Sequence, residues 1–388
     1  MLTSARITII GAGIGGLCAA LALSARGARV RVLERAPEIA EVGAGLQISP
    51  NGMRVLDALG LGQVARAAAI ASRAVRLVDG PTGRDVLTLD LAGRLPGQPF
   101  LLMHRADLVG LLADAARAAG VSVETGVEVL SVTDAAEEVE LTLADGRTDT
   151  AALVIGADGL HSRARAALNG DAAPFFTGQV AWRALVPAPE GTPPEARVYM
   201  GPGRHLVAYP LRDGRFLNLV GVEERAAWAD EGWNHSDTPE NFRNAFKGFT
   251  PDIRARLDDL DQVFLWGLFR HPVAARWHGQ RLAILGDAAH PTLPFLAQGA
   301  NLALEDAWTL AACLASNAPD RALPRYQALR RDRAVRVIDA ATANARNYHL
   351  SGPARTIAHA ALRLGGAVAP GAALTRYAWL WGHDVTAA

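Results

Sequence analysis

Ile7–Arg35 reads ITIIGAGIGGLCAALALSARGARVRVLER, and the order of its textures decides the fold. Ile7 to Ile10 is a short apolar run with the look of a buried strand. It ends in Gly11-x-Gly13-x-x-Gly16, and helix formers follow from Leu17 to Arg26. A second strand, Arg29 to Leu33, closes on an acid, Glu34, 18 residues after Gly16. Strand, glycine turn, helix, strand and acid stand in the order of a dinucleotide-binding βαβ unit. Gly11 permits the tight turn, Gly13 leaves the backbone open to a pyrophosphate, and Gly16 lets helix and strand pack closely. The helix N-terminus offers N–H groups and a positive dipole end to phosphates. Glu34 is placed to accept from ribose hydroxyls. The unit alone does not separate NAD from FAD.

A chain of 388 residues can bury a large core, in two domains rather than one. Thirty-nine basic residues balance thirty-nine acidic ones, so charge makes no case for nucleic acid or an anionic membrane. No apolar run reaches the roughly 18–20 residues that span a bilayer, and the start shows no signal-peptide pattern. A cytoplasmic protein is expected. Cys18 and Cys313 lie in helix-like segments and read as small buried hydrophobes. Lys247, the one lysine, sits in a polar helix outside every motif, which argues against Schiff-base chemistry.

After Glu34, Val42-Gly43-Ala44-Gly45 suits a loop close to a ligand, and Ser49-Pro50-Asn51 opens a helix from Met53 to Leu59. Strands are expected at 73–79 and 84–89, a helix from His104 to about Ala119, and strands at 121–124, 127–133, 137–143 and 152–155. Asp145-Gly146 marks a hairpin between two of these. From 175 to 224 short alternating segments predict an antiparallel sheet, at 179–187, 196–200, 205–211 and 215–222. Helices near 239–247 and 251–258, a strand at 262–269 and another at 281–285 follow. A helix should run to about Leu314. Pro324 should begin a long helix to Leu350, whose alternating charge reads as a solvated face. The tail from Pro353 reads as helical, broken at Gly365-Gly366 and Pro370-Gly371, with Trp379 and Trp381 as packing anchors.

Three junctions of strand and glycine now stand at 10–16, 155–159 and 285–299. With them the chain resembles the single-component flavoprotein aromatic hydroxylases, of the salicylate and hydroxybenzoate hydroxylase kind, over nearly its whole length. Gly11-x-Gly13-x-x-Gly16 resembles their ADP-binding fingerprint. Asp158-Gly159 in GADGLHSRAR resembles the second motif, associated with FAD and the pyridine nucleotide. Gly286-Asp287 in GDAAHPTLPFLAQGAN resembles the third, which holds the ribityl chain and flavin ring. His104-Arg105-x-x-Leu108 resembles the family's arginine contact to the cofactor.

The resemblance implies an α/β fold: a Rossmann-like FAD-binding domain with an inserted mixed-sheet substrate domain and C-terminal helices. Its expected bounds are 1–72, 100–174 and 271–323 for the FAD-binding domain, 73–99 and 175–270 for the substrate domain, and 324–388 for the helical region. It implies FAD as cofactor, contacted by Gly11, Gly13, Gly16, Glu34, Arg35, Arg105, Asp158, Asp287, Gly299, Ala300 and Asn301. NADH or NADPH reduces the flavin, and dioxygen then forms a C4a-hydroperoxide that attacks an electron-rich aromatic ring. Asp287 reads either as a ribityl contact or as a plain N-cap. Arg163 reads as an ion-pair partner or as an aid to nicotinamide entry.

On the substrate side, His205 and Tyr209 in GRHLVAYPLRDG lie four apart and share a strand face. The resemblance makes them a pair lining the substrate pocket, able to take a phenolic proton; the alternative is packing under the sheet. Gln47, Trp182 and Arg183 are further pocket candidates, Arg183 either for a substrate carboxylate or as a surface ion pair. Pro294 and Phe295 stand where relatives carry polar residues, so the pocket near the flavin should be more apolar. A non-aromatic or polycyclic substrate, or a non-catalytic nucleotide-binding protein, are the alternatives, and monomer and homodimer both stay open.

Overall fold

A computed structural model describes residues 5–39, 45–226 and 235–387, the last without the side chains of residues 235 and 236. The expected glycine loop at 42–44 lies outside the described residues. The βαβ unit forms as strand Arg6–Ile10, helix Ile14–Ser24 and strand Arg29–Glu34. These strands build a five-stranded parallel sheet in the order Leu282–Ile284, Val154–Gly156, Arg6–Ile10, Arg29–Glu34, Ser122–Thr125. Its apolar residues and the helices Ile14–Ser24, Arg105–Ala118 and Gly299–Ser316 share one buried core. Cys18 and Cys313 are buried free thiols within it.

The second sheet has eight strands, in the order His235–Asp237, Val263–Arg270, Phe175–Pro187, Phe216–Glu224, Arg204–Leu211, Glu195–Gly201, Ala74–Asp79, Asp85–Asp90. Its pairs are antiparallel except Glu195–Gly201 with Ala74–Asp79, so the sheet is mixed. Strand alternation splits its faces. Trp182, Leu206 and Ala208 pack under Phe242, Phe246 and Phe249, while Arg183, His205, Val207 and Tyr209 turn to the opposite face and border a cleft.

Four expectations need correction. Asp145-Gly146 joins Val139–Leu143 to a separate edge strand, Thr148–Ala151, because Ala151 pairs back on Val139. The long helix begins at Pro319, which takes its first turn, and carries Pro324 inside on an exposed side. Gly365-Gly366 does not break its helix, which runs Gly352–Val368; Gly366 lies where a Cβ would sit 3.1 Å from Leu87, so it allows close packing on the strand Asp85–Asp90. The charged face of the long helix is not wholly solvated. Arg330 is buried between Glu305, 2.6 Å away, and Asp306, 2.7 Å away, and Arg333 donates to both Glu305 oxygens. Trp381, one of the two expected anchors, meets Phe100 edge to face at 4.8 Å. Trp379 lies under the Arg336 guanidinium at 3.8 Å.

Removing one partner from a buried ion cluster leaves the others uncompensated, at a cost of about 3–5 kcal/mol. Arg330→Leu is expected to lower unfolding free energy by up to that amount in urea titrations at pH 7, since it takes one buried partner from each carboxylate while Arg333 still reaches Glu305 and His290 still reaches Asp306. An unchanged midpoint would show that the cluster does not stabilise the fold.

Candidate functional site: a cofactor cleft opening on a buried substrate pocket

The three glycine junctions converge on one cleft of about 1210 Å³. Gly11 has φ +100°, and a Cβ there would lie 2.5 Å from the Ala157 carbonyl oxygen, so the turn at the strand end requires glycine. A Cβ on Gly16 would overlap the Gly11 carbonyl, whereas Gly13 faces open space. The helix beyond has no side-chain cap and no acid in its first turn, and Gly13, Ile14 and Gly15 line the cleft. The helix Gly299–Ser316 starts in the same way, with Gly299 and Ala300 at the cleft wall. Two uncapped N-termini therefore point anion-binding ends into one space.

The acids of the three motifs differ in their commitments. Glu34 accepts from Ala12 N at 2.7 Å and Ala36 N at 2.9 Å, so it braces the glycine turn as well as bordering the cleft. Asp158 caps the helix Arg163–Asn169: it accepts from Ser162 Oγ at 2.5 Å, Arg163 N at 2.7 Å and Ala164 N at 3.2 Å. Burial raises its carboxyl and those bonds oppose the rise. Asp287 makes no hydrogen bond to the described residues and caps no helix among them, so the N-cap alternative is not realised. Its side chain meets solvent through the cleft yet lies deep among protein atoms. That burial raises its carboxyl, against the charges of His290 and Arg105.

Arg105 opens its helix at the cleft wall, and Arg35 and Arg163 are exposed at its rim. No carboxylate among the described residues pairs with Arg163. Asn301 departs from expectation. Its Oδ1 accepts from Ser49 N at 3.0 Å and its Nδ2 donates to Gln47 O and Ala297 O, so it staples the strand Gly45–Ile48 to its own helix and does not face the cleft.

Beyond the glycine junctions the cleft deepens against the eight-stranded sheet. His205 and Tyr209 both border it, as their shared strand face requires, with Gln47, Pro294 and Phe295. The Phe295 ring lies 5.3 Å from the His205 ring, edge on. Burial raises the Tyr209 hydroxyl, against the Arg183 charge, so it stays a phenol at neutral pH. Arg183 stacks its guanidinium 4.5 Å over the Trp266 ring. Burial first, then the charge of Arg105, brings Arg183 down to about 10, against Tyr209. No carboxylate among the described residues pairs with it, and its Nε is buried without a partner, which removes the surface ion-pair alternative. Trp182 is not in the pocket: it faces the other core, stacked on Phe242 and donating to Asp237 at 2.7 Å.

The sequence reading missed the ring cluster around His205. His349 lies 2.7 Å from it, and the Tyr348 ring centre lies 5.2 Å away. Their signal was slight, a Tyr-His pair at the end of a long helix. His290 was also passed over; with Arg330 it holds Asp306.

A family model described as FAD binding domain matches residues 4–341. The chain belongs to this family. It is 38% identical over 354 residues to a 3-amino-4-hydroxybenzoate 2-monooxygenase of Streptomyces cremeus, covering 89% of this chain and 88% of that one. It is 38% identical over 341 residues to 3-hydroxybenzoate 6-hydroxylase 1 of Aquipseudomonas alcaligenes, covering 85% and 86%. Among solved structures, a salicylate hydroxylase substrate complex superposes with a TM-score of 0.84 at 26% identity, covering 99% and 97%. Klebsiella pneumoniae HpxO complexed with FAD and uric acid superposes at 0.83 and 28% identity, covering 95% of each chain. This family member is an FAD-dependent monooxygenase, and its cleft fits FAD on its own evidence. Open N-termini suit the pyrophosphate, and a carboxylate reaching into the cleft with no hydrogen-bond partner among the described residues suits hydroxyl donors.

Asp287→Ala is expected to leave the fold intact and cut FAD retention, because the acid supports no protein contact. FAD absorbance per chain after gel filtration, beside the circular dichroism melt, checks this. A lowered melt with FAD held normally in the folded fraction would make Asp287 structural.

Proposed function

We propose that the enzyme uses NADH or NADPH and dioxygen to hydroxylate an aromatic acid of the hydroxybenzoate or salicylate kind. The observation that carries the acid is Arg183. A half-buried guanidinium whose Nε is enclosed, with no carboxylate partner among the described residues, is costly, and an incoming carboxylate relieves that cost with charge-assisted hydrogen bonds. The hydroxybenzoate relatives support the same class. We further assign the parallel-sheet part, 1–72, 100–174 and 271–323, to FAD binding, the segments 73–99 and 175–270 to the substrate, and 324–388 to the helical cover. We place the protein in the cytoplasm.

In this reading Gly11, Gly13 and Gly16 admit the pyrophosphate, Glu34 and Arg35 the adenosine end, and Arg105, Asp158 and Asp287 the middle of the cofactor. Gly299 and Ala300 present N–H groups to the flavin edge. FAD, when bound, supplies electron transfer from NAD(P)H and oxygen transfer to the ring. The chain supplies the rest. Arg183 orients the acid, Trp266 holds the guanidinium flat, and Phe295 and Pro294 keep water from the ring. Gln47 borders the same space. His205 takes the hydroxyl proton that an electron-rich ring must lose, and Tyr209 holds the resulting oxygen by its O–H.

A panel of 3-hydroxybenzoate, 4-hydroxybenzoate, salicylate and 3-amino-4-hydroxybenzoate, scored by NAD(P)H oxidation and product mass, tests the reading. Absence of any stimulated oxidation and product across it would defeat it. Arg183→Ala is expected to weaken binding of the active acid by about 1.5–3 kcal/mol, the weight of hydrogen bonds to a charged group. Titration of the flavin spectrum measures it. His205→Ala and Tyr209→Phe should keep FAD but lose product per NAD(P)H, by up to the roughly 10²–10⁴-fold that a positioned base contributes. Unchanged coupling in both would return the pair to a packing role.

A further inference from the structure

His205 does not end at the cavity. Its Nδ1 lies 2.7 Å from Nε2 of His349, and Nδ1 of His349 lies 2.8 Å from Oε1 of Glu224. Both rings are buried, whereas the Glu224 side chain is 54% exposed. The three groups come from separate elements: the strand Arg204–Leu211, the residue closing the helix Pro319–Tyr348, and the last position of the strand Phe216–Glu224. Their contacts cross from cleft to solvent.

The hydrogen bonds dictate the tautomers. An ionised carboxylate only accepts, so Glu224 receives the Nδ1–H of His349. A neutral imidazole carries one N–H, so Nε2 of His349 is an acceptor and takes the Nδ1–H of His205. Nε2 of His205 is then a bare lone pair with no partner among the described residues, on a ring that borders the cleft. Neutral rings are what the surroundings favour. Burial and then His349 lower His205 well below 6.5. Burial lowers His349, with Glu224 raising it and Arg204 lowering it. The other rings against His205, Phe295 and Tyr348, carry no charge at neutral pH.

We infer that His205, His349 and Glu224 form a proton outlet from the substrate pocket to solvent. This rests on the reading above, in which the substrate is a hydroxylated acid. The substrate O–H bond breaks and its proton joins Nε2 of His205. The Nδ1 proton of His205 passes to Nε2 of His349, and the Nδ1 proton of His349 passes to the Glu224 carboxylate, then to water. Both rings end neutral, the substrate ends as the phenolate, and one proton leaves. Reverse transfer restores the tautomers. Without the outlet, His205 would have to remain a buried imidazolium, the state its surroundings disfavour. His349 and Glu224 touch neither substrate nor cofactor and are positioning residues acting through His205.

Two measurements test this on the FAD-loaded enzyme. Imidazole ¹⁵N spectra at pH 7.5, without substrate, should show both His205 and His349 as Nδ1–H tautomers; His205 with its proton on Nε2 would overturn the outlet. In weakly buffered stopped flow with an indicator dye, 3-hydroxybenzoate should release a proton on binding and benzoate should not. His349→Ala and Glu224→Gln should each slow that release by at least about tenfold, within the range of a lost proton-transfer group. Benzoate affinity should hold, and free imidazole should restore the rate in His349→Ala. Release at the native rate in both variants would equally overturn it. If neither acid perturbs the flavin spectrum, the substrate reading fails, and the tautomers still decide the outlet.

Discussion

The placement of the cleft depends on one buried ion cluster. Arg330 is held between Glu305 and Asp306, adjacent residues on the helix Gly299–Ser316. Burial would raise Asp306, but His290 and Arg330 bring it down to about 2, so both carboxylates stay charged inside the protein. Each then fastens a different wall. Asp306 accepts the Gly286 N–H at 3.1 Å and holds His290, which fixes the loop that carries Asp287. Glu305 accepts from Asn51 at 2.7 Å, which fixes the start of the helix Pro50–Ala58. Cluster geometry thus sets where the helix N-terminus, Asp287 and the Gln47 strand stand relative to one another.

The second constraint is the pleat of the eight-stranded sheet. One face must satisfy an aromatic core, with Trp182 against Phe242 and Phe246. Period-two alternation then commits neighbouring residues to the other face. Arg183 is turned to the cleft because Trp182 is not, and His205 and Tyr209 because Leu206 and Ala208 are not. A one-residue slip in register would exchange pocket and core together, so the burial of the aromatic face specifies the pocket chemistry.

Patterns confined to neighbouring residues were legible in the sequence. The glycine turn, the strands at 205–211 and 215–222, and the His205–Tyr209 spacing all follow from local periodicity. What was not legible depends on contacts between distant segments. Arginines of the long helix looked solvated, because nothing local shows that Glu305 and Asp306 lie 24 or more residues away waiting to pair. Gly365-Gly366 looked like a break, because the partner that makes small residues useful there, Leu87, is far off in the chain. Asn301 has the residue type of a ligand contact, but backbone groups of Gln47 and Ser49, with Ala297 just before its own helix, occupy its side chain. The fold class needed only local order; the roles of individual polar groups needed the tertiary partners.

That distinction also sorts the site. A polar side chain near a cleft is informative in proportion to what the protein leaves undone around it. Glu34, Asp158, Glu305 and Asp306 are each bound to protein donors, so their positions are explained by folding alone. Among the described residues Asp287 and Arg183 are not: Asp287 meets solvent through the cleft and Arg183 is half-buried with its Nε enclosed, and a charge set among protein atoms without a partner costs more than a paired one. The fold carries both, one beside the glycine junctions and one beside Tyr209; His290 and Arg105 favour the Asp287 charge and the Trp266 face receives the Arg183 guanidinium, but no hydrogen bond or ion pair among the described residues answers either. In the proposed reading the molecules that complete them are hydroxyl donors on the cofactor for the carboxylate and an anionic substrate for the guanidinium. His205 fits the same rule in its neutral form, since its bonded nitrogen faces His349 and its free nitrogen has only the cleft to serve.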